Sequence, residues 1–149
     1  VTRSSKTEDP KAGLSEATGP GPGFPEPLRE FVALFNAQAF WESHEVLEGP
    51  WRENRSGFYH GLILLASAFV HVQRRNPHGV GAQFRKARIA LEGFPPDYLG
   101  MDVDSIVAQC RLGEAAASRG IPDEAWSAWA LPELELAPHR VRGDEIEVR

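Results

Sequence analysis

The sequence predicts an all-α fold: a compact antiparallel bundle of about five helices with flexible N- and C-terminal tails. Three observations carry this. Apolar residues recur at helical spacing from about Pro27 to Ser118. Proline, glycine and capping residues punctuate the ends of the periodic segments. No alternating run longer than a few residues precedes the C-terminal tail. The chain divides into residues 1–26, a polar tail ending in Gly19-Pro20-Gly21-Pro22-Gly23-Phe24-Pro25; residues 27–118, the bundle; and residues 119–149, an acidic, proline-punctuated extension. The first segment has too little apolar surface to offset the entropy of ordering it.

The first helix opens with Pro27 in its first turn. Leu28, Phe31, Val32, Leu34 and Phe35 form its apolar face, and it ends near Asn36. The second spans about Ala39 to Gly49. Pro50 has no amide proton and disfavours helical geometry at Gly49, so a stop or kink is expected there, with Trp51 covering the helix end. The third, about Gly57 to Arg75, is apolar nearly all round and is therefore the central, buried helix. Asn76-Pro77 supplies a cap and a first-turn proline for the fourth, which places Val80, Phe84, Ala87 and Leu91 inward and ends before Gly93, Pro95 and Pro96. Asp102 caps the fifth, with Met101 placed to staple onto Ile106, and Val103, Ile106, Val107 and Cys110 form its buried face. A short helix within Pro122 to Ala130 carries Trp126 and Trp129, which either dock on their own domain or form a partner-binding patch.

Bulk properties narrow the function. At 149 residues the chain holds one domain with tails. A net charge of -5 argues against non-specific binding to nucleic acid or an anionic membrane. The uncharged run Phe58 to Val72 falls short of the roughly 18 residues that a membrane span needs. One cysteine, Cys110, forms no internal disulfide, and no N-terminal targeting pattern is visible, so a cytoplasmic location is expected. Arg74, Arg75, Arg85, Lys86 and Arg88 cluster near the third and fourth helices. Such a run is by default a solvated face, the minority reading being an anion or nucleic-acid patch, which the lack of interleaved aromatics weakens.

The second helix holds the most informative pattern. At about 100° per residue, Phe40, His44, Leu47, Glu48 and Trp51 share one face. An imidazole and a carboxylate on an apolar stripe must find partners or lose free energy. His44, Glu45 and Glu48 form H-E-x-x-E, close to the zinc-peptidase pattern H-E-x-x-H, in which two ligands one turn apart bind the ion and the intervening glutamate is the general base. Glu48 can replace the second histidine for a divalent metal such as zinc or manganese. Glu45 lies around the helix beside Trp41 and Arg52 and is the candidate base. Antiparallel packing brings His60 level with Glu48, which makes His44, Glu48 and His60 the candidate metal set. His71 lies roughly 16 Å further along and instead bonds Gln38, Asn36 or a loop carbonyl. The alternative is structural: a histidine and glutamate one turn apart commonly share a hydrogen bond that locks a helix pair. On that reading His44, Glu48, Trp51, His60, His71 and Trp41 form a binding or packing cluster.

Phe35-Asn36, the run Phe40-Trp41-Glu42-Ser43-His44-Glu45-Val46-Leu47-Glu48 with Trp51, and Phe58-Tyr59-His60-Gly61-Leu62-Ile63 resemble the family called domain of unknown function 309. His71 with Arg75-Asn76, Gly81-Ala82 and Leu91 continue the resemblance, which spans roughly Leu28 to Cys110. It implies a small all-helical bacterial or archaeal protein carrying the label of predicted metal-dependent hydrolase. The family more often has glutamine where His60 and Leu64 stand, which implies a hydrogen-bonding network there rather than a shared metal ligand.

Two functions follow, with a weaker third, a pocket for an anionic small molecule near the basic corner. The preferred one is a protein-interaction module held together by a buried His/Glu network, whose surface or tails bind a protein partner or a second copy of the chain. The alternative is a metal-dependent hydrolase with His44, Glu48 and His60 as ligands and Glu45 as base.

Overall fold

The computed structural model describes residues 23–148, and residues 1–22 of the expected N-terminal tail lie outside them. Six α-helices and no strand occur among the described residues: α1 (Glu26–Asn36), α2 (Phe40–Asn54), α3 (Gly57–Gln73), α4 (Pro77–Leu91), α5 (Val103–Arg119) and α6 (Asp123–Ser127). Short 3-10 turns follow at Tyr98–Gly100, Pro138–Arg140 and Ile146–Val148. Each of α1 to α4 packs on the next helix in chain order. No described helix is long and apolar enough to cross a membrane.

The expected caps form at α4 and α5, and Ser56 adds one at α3 that was not expected. The Ser56 hydroxyl accepts the Tyr59 N–H at the start of α3, Asn76 accepts the Gly79 N–H at α4, and Asp102 accepts the Ser105 N–H at α5. The expected stop at Pro50 does not. Helix α2 runs through Pro50 to Asn54 and closes on Arg55 in the left-handed region, φ 56°. Pro50 removes one amide donor near the end of the helix. Gly49 has no Cβ for the proline ring to strike, which relieves the clash with the preceding residue while the lost amide bond remains.

Ten side chains of α3 are buried, from Phe58 to Val72, and α2 and α4 pack against this central helix. Phe35, Phe40 and Phe69 form a ring cluster joining α1, α2 and α3, with centroids 4.9–5.5 Å apart. Two glycines set the close approaches on the other side. A Cβ on Gly61 would lie 2.5 Å from Leu91, and one on Gly113 would lie 2.3 Å from the Phe84 ring. Across α4 and α5, Arg88 holds Glu114 in a two-point fork and reaches Glu92, which also binds Arg111. Arg88 is thus a paired side chain and not part of a free basic face.

Helices α1 and α3 end alike. Ala39 N–H bonds Leu34 O and Gln38 N–H bonds Phe35 O; Asn76 N–H bonds His71 O and Arg75 N–H bonds Val72 O. These are the paired bonds of the Schellman ending, whose left-handed position usually falls to glycine. Here it falls to Gln38 (φ 64°) and Arg75 (φ 54°), at a backbone cost on the order of 1 kcal/mol each.

The C-terminal segment straps the bundle. The Asn36 amide donates to Leu134 O at 2.9 Å and accepts from Leu134 N–H at 2.8 Å, which reads the extended backbone at two points. Ala137 and Gly100 exchange a backbone bond, and Leu134 joins the core. Glu145 is 3 % exposed, and its carboxylate accepts the N–H groups of Arg142, Gly143 and Leu99. Glu147 accepts hydrogen bonds from the hydroxyls of Ser56 and Tyr98. It therefore sits at the positive end of α3, where a carboxylate is favoured.

Two expected outcomes follow. Gly113→Ala forces Phe84 aside and lowers unfolding free energy by about 1–3 kcal/mol in a denaturant titration. Burial pushes the Glu145 carboxyl up, but the backbone N–H groups of Arg142, Glu145, Gly143 and Leu99 together hold it below its ordinary 4.5. Its stabilising contribution is therefore complete above pH 4.5 and is lost as the pH falls through its lowered folded value. Glu145→Gln should reduce that acid-side loss, at a cost of about 1–3 kcal/mol near neutrality, measured as melting temperature against pH.

Candidate functional site

Phe40, Ser43 and Leu47 form the buried stripe of α2, and this stripe is rotated from the expected face. Ser43 is small enough to lie fully buried, and its hydroxyl donates to the Phe40 carbonyl at 2.8 Å. His44, Glu48 and Trp51 consequently lie on one flank of the α2–α3 seam and are half-buried. The His44 and Glu48 side chains are 17 % and 33 % exposed, with Nε2 and Oε2 3.5 Å apart. Arg52 approaches the other Glu48 oxygen at 3.6 Å. The flank thus carries an alternating run of ring, imidazole, carboxylate and guanidinium along Trp41, His44, Glu48 and Arg52.

Aromatic contacts pin both ends of the antiparallel pair. Near the start of α2, Trp41 stacks on His44 with centroids 5.1 Å apart, and Arg74 at the end of α3 lies 5.6 Å from the Trp41 ring centre. Near the end of α2, Trp51 stacks on His60 of α3 at 4.6 Å and 9°, and Arg55 lies 5.0 Å from the Trp51 ring centre. Trp51 therefore does more than cover a helix end, since its place within the continued helix sets the His60 ring parallel to it. Cation–ring and ring–ring contacts of this kind contribute about 0.5–1.5 kcal/mol each when half-exposed.

One polar atom of the cluster is left over. His44 Nδ1 is buried and has no hydrogen-bond partner in the protein. Glu45 faces outward and is exposed. Zinc needs at least three protein donors within about 2.0–2.3 Å of one point. Among the described residues no three His, Cys, Asp or Glu side chains are gathered to hold one ion. His44 and Glu48 are neighbours, whereas His60 is held in its stack on Trp51 and does not complete a set with them.

His71 does not bond Gln38 or Asn36. Its Nδ1 lies 3.1 Å from Asn76 Nδ2, and its ring packs on Gly79, where a Cβ would come within 2.3 Å. Gln73 takes the place expected of His71 by donating to Gln38 O at 3.0 Å, while Asn36 is committed to Leu134. Burial, Arg74 and His78 all lower the His71 pKa, which fits a neutral imidazole accepting from the amide. Cys110 is buried, and its thiol is pushed up to about 12 by burial and then by Glu114. It is therefore unreactive packing.

Residues 28–82 match a family described as Domain of unknown function (DUF309). That segment is a DUF309 domain. No curated protein matches the chain. The DUF309 match takes in α1, α2, α3 and the opening of α4, and with them every residue of the α2–α3 cluster. The α4–α5 ion cluster and the C-terminal strap lie beyond it. Sequence reasoning missed Asn36, Ser43, Glu145 and Glu147 as positioning residues. Only Asn36 and Ser43 fall in the DUF309 segment, and nothing local to either marks the contact it makes.

Proposed function

We propose that this chain is a non-catalytic helical module that acts by binding another protein. On this reading the H-E-x-x-E flank belongs to its architecture. The observation that supports it is the pairing of the cluster within the protein: His44 with Glu48 and Trp41, and His60 with Trp51. Nothing in the arrangement of donors favours the hydrolase alternative. A cytoplasmic location fits the single buried thiol. The binding face we favour is the shallow apolar trough of about 460 Å³ on α3 and α4, lined by His60, Leu64, Lys86, Ile89 and Ala90. Ile89 is 52 % exposed there, beside the half-buried Leu64, and gives the trough its apolar character.

Two outcomes are expected. Protein purified without added metal contains no stoichiometric zinc or manganese, and its melting temperature is unchanged by a chelator. His44→Ala lowers stability by about 1–2 kcal/mol, because Glu48 loses a partner and Trp41 its stacked ring. One ion per chain, lost together with a hydrolytic activity in His44→Ala or Glu48→Ala, overturns the proposal. Ile89→Glu should leave stability within about 0.5 kcal/mol while weakening association with a partner or a second copy.

A further inference from the structure

Two of the three left-handed helix endings, those of α1 and α3, lie side by side and open on one cleft. Gln38 and Arg75 both line it, together with Phe40, Gln73, Trp126 and Trp129, and its volume is about 170 Å³. Gln73 donates to Gln38 O and so ties the end of α3 to the end of α1. Asn76, which follows Arg75, caps α4 through Gly79 N–H. The backbone of Arg75 is thus fixed on one side by its bond to Val72 O and on the other by a capped helix.

Glycine would satisfy both left-handed positions without strain, yet each carries a long polar side chain. Strained backbone that places side chains around a common cleft is a pointer to function. The side chains supply a consistent chemistry. Arg75 is exposed and has no ion-pair partner among the described residues. Its planar fork matches a carboxylate at two points. The Gln38 and Gln73 side chains stand beside it, and Phe40 and the two tryptophans, stacked at 6.1 Å, supply an apolar wall. A cavity of roughly 150 Å³ already admits benzene. Inorganic phosphate would leave the apolar wall unused, and a bare hydrocarbon would leave Arg75 unused.

We propose that this cleft binds a small flat carboxylate of about benzoate size, with its charge on Arg75 and its apolar body against Phe40, Trp126 and Trp129. The site is separate from the α2 flank and the α3–α4 trough. It draws Gln38, Phe40, Gln73 and Arg75 from the DUF309 segment and Trp126 and Trp129 from the chain beyond it.

The test is titration of the full chain with benzoate, benzamide and acetate, followed by calorimetry and by the indole N–H resonances in nuclear magnetic resonance. Benzoate is expected to bind on the order of a millimolar or tighter and to shift the Trp126 and Trp129 resonances. Benzamide lacks the charge and acetate the ring, and each should bind at least tenfold more weakly. Arg75→Gly should abolish benzoate binding while the melting temperature stays level or rises, because glycine relieves the left-handed backbone. Arg75→Asn, neutral and tolerant of the same backbone region, should behave likewise. The proposal is overturned if benzoate fails to bind at tens of millimolar, if benzamide binds as well as benzoate, or if either Arg75 variant retains wild-type affinity.

Discussion

The enclosure of α3 is the constraint on which the structure depends. A seventeen-residue helix with ten buried side chains offers water only the narrow stripe of Gly57, His60, Leu64, Ser67 and His71. Its other flanks must be covered by apolar atoms or by polar groups that satisfy one another. Helix α2 covers one side with Phe40 and Leu47, and α4 covers another, close-packed through Gly61 against Leu91. The first turn is closed from above by Glu147, which takes the Ser56 hydroxyl while Ser56 caps the helix. The strap and α6 supply what the helices leave open, through Leu134 and Trp126 in the core.

This constraint accounts for the polar residues of α2. A helix laid along α3 has a buried stripe, here Phe40, Ser43 and Leu47, and two flanks at which burial gives way to solvent. Long amphipathic side chains suit a flank because their apolar parts cover the seam while their polar ends remain hydrated. Trp41, His44, Glu48 and Trp51 occupy such a position, and the rings at each end bind α2 to α3 over its length. A histidine beside a glutamate is therefore compatible with packing alone. The DUF309 segment ends at Ala82, within α4, so it contains the central helix without most of its cover. In this chain the cover comes from the remainder of α4, from α5 and from the residues that follow.

Much of this was legible in the residues. Asn76 and Asp102 announced the starts of α4 and α5 because capping is a local interaction. The all-round apolar run from Phe58 to Val72 announced the central helix for the same reason. Pro50 does not stop the helix, and Gly49 relieves the clash between the proline ring and the residue before it. The face of α2 was misjudged by part of a turn because Ser43, a small hydroxyl bonded to its own helix, looks like a solvent residue in sequence. The contacts of Asn36 with Leu134 and of Ser56 with Glu147 join residues 98 and 91 positions apart, and no local pattern encodes them. The left-handed endings at Gln38 and Arg75 were invisible for a simpler reason: the usual sign of that ending is glycine, and neither has one.

Native-state hydrogen exchange on the full chain tests the enclosure of α3 most directly. If α2, α4 and the strap seal the remaining flanks, the amides of Leu62 to Phe69 exchange only through global unfolding and share the largest protection in the molecule. Protection there below that of α5, with exchange through a partial opening that leaves α4 and α5 intact, would contradict the account.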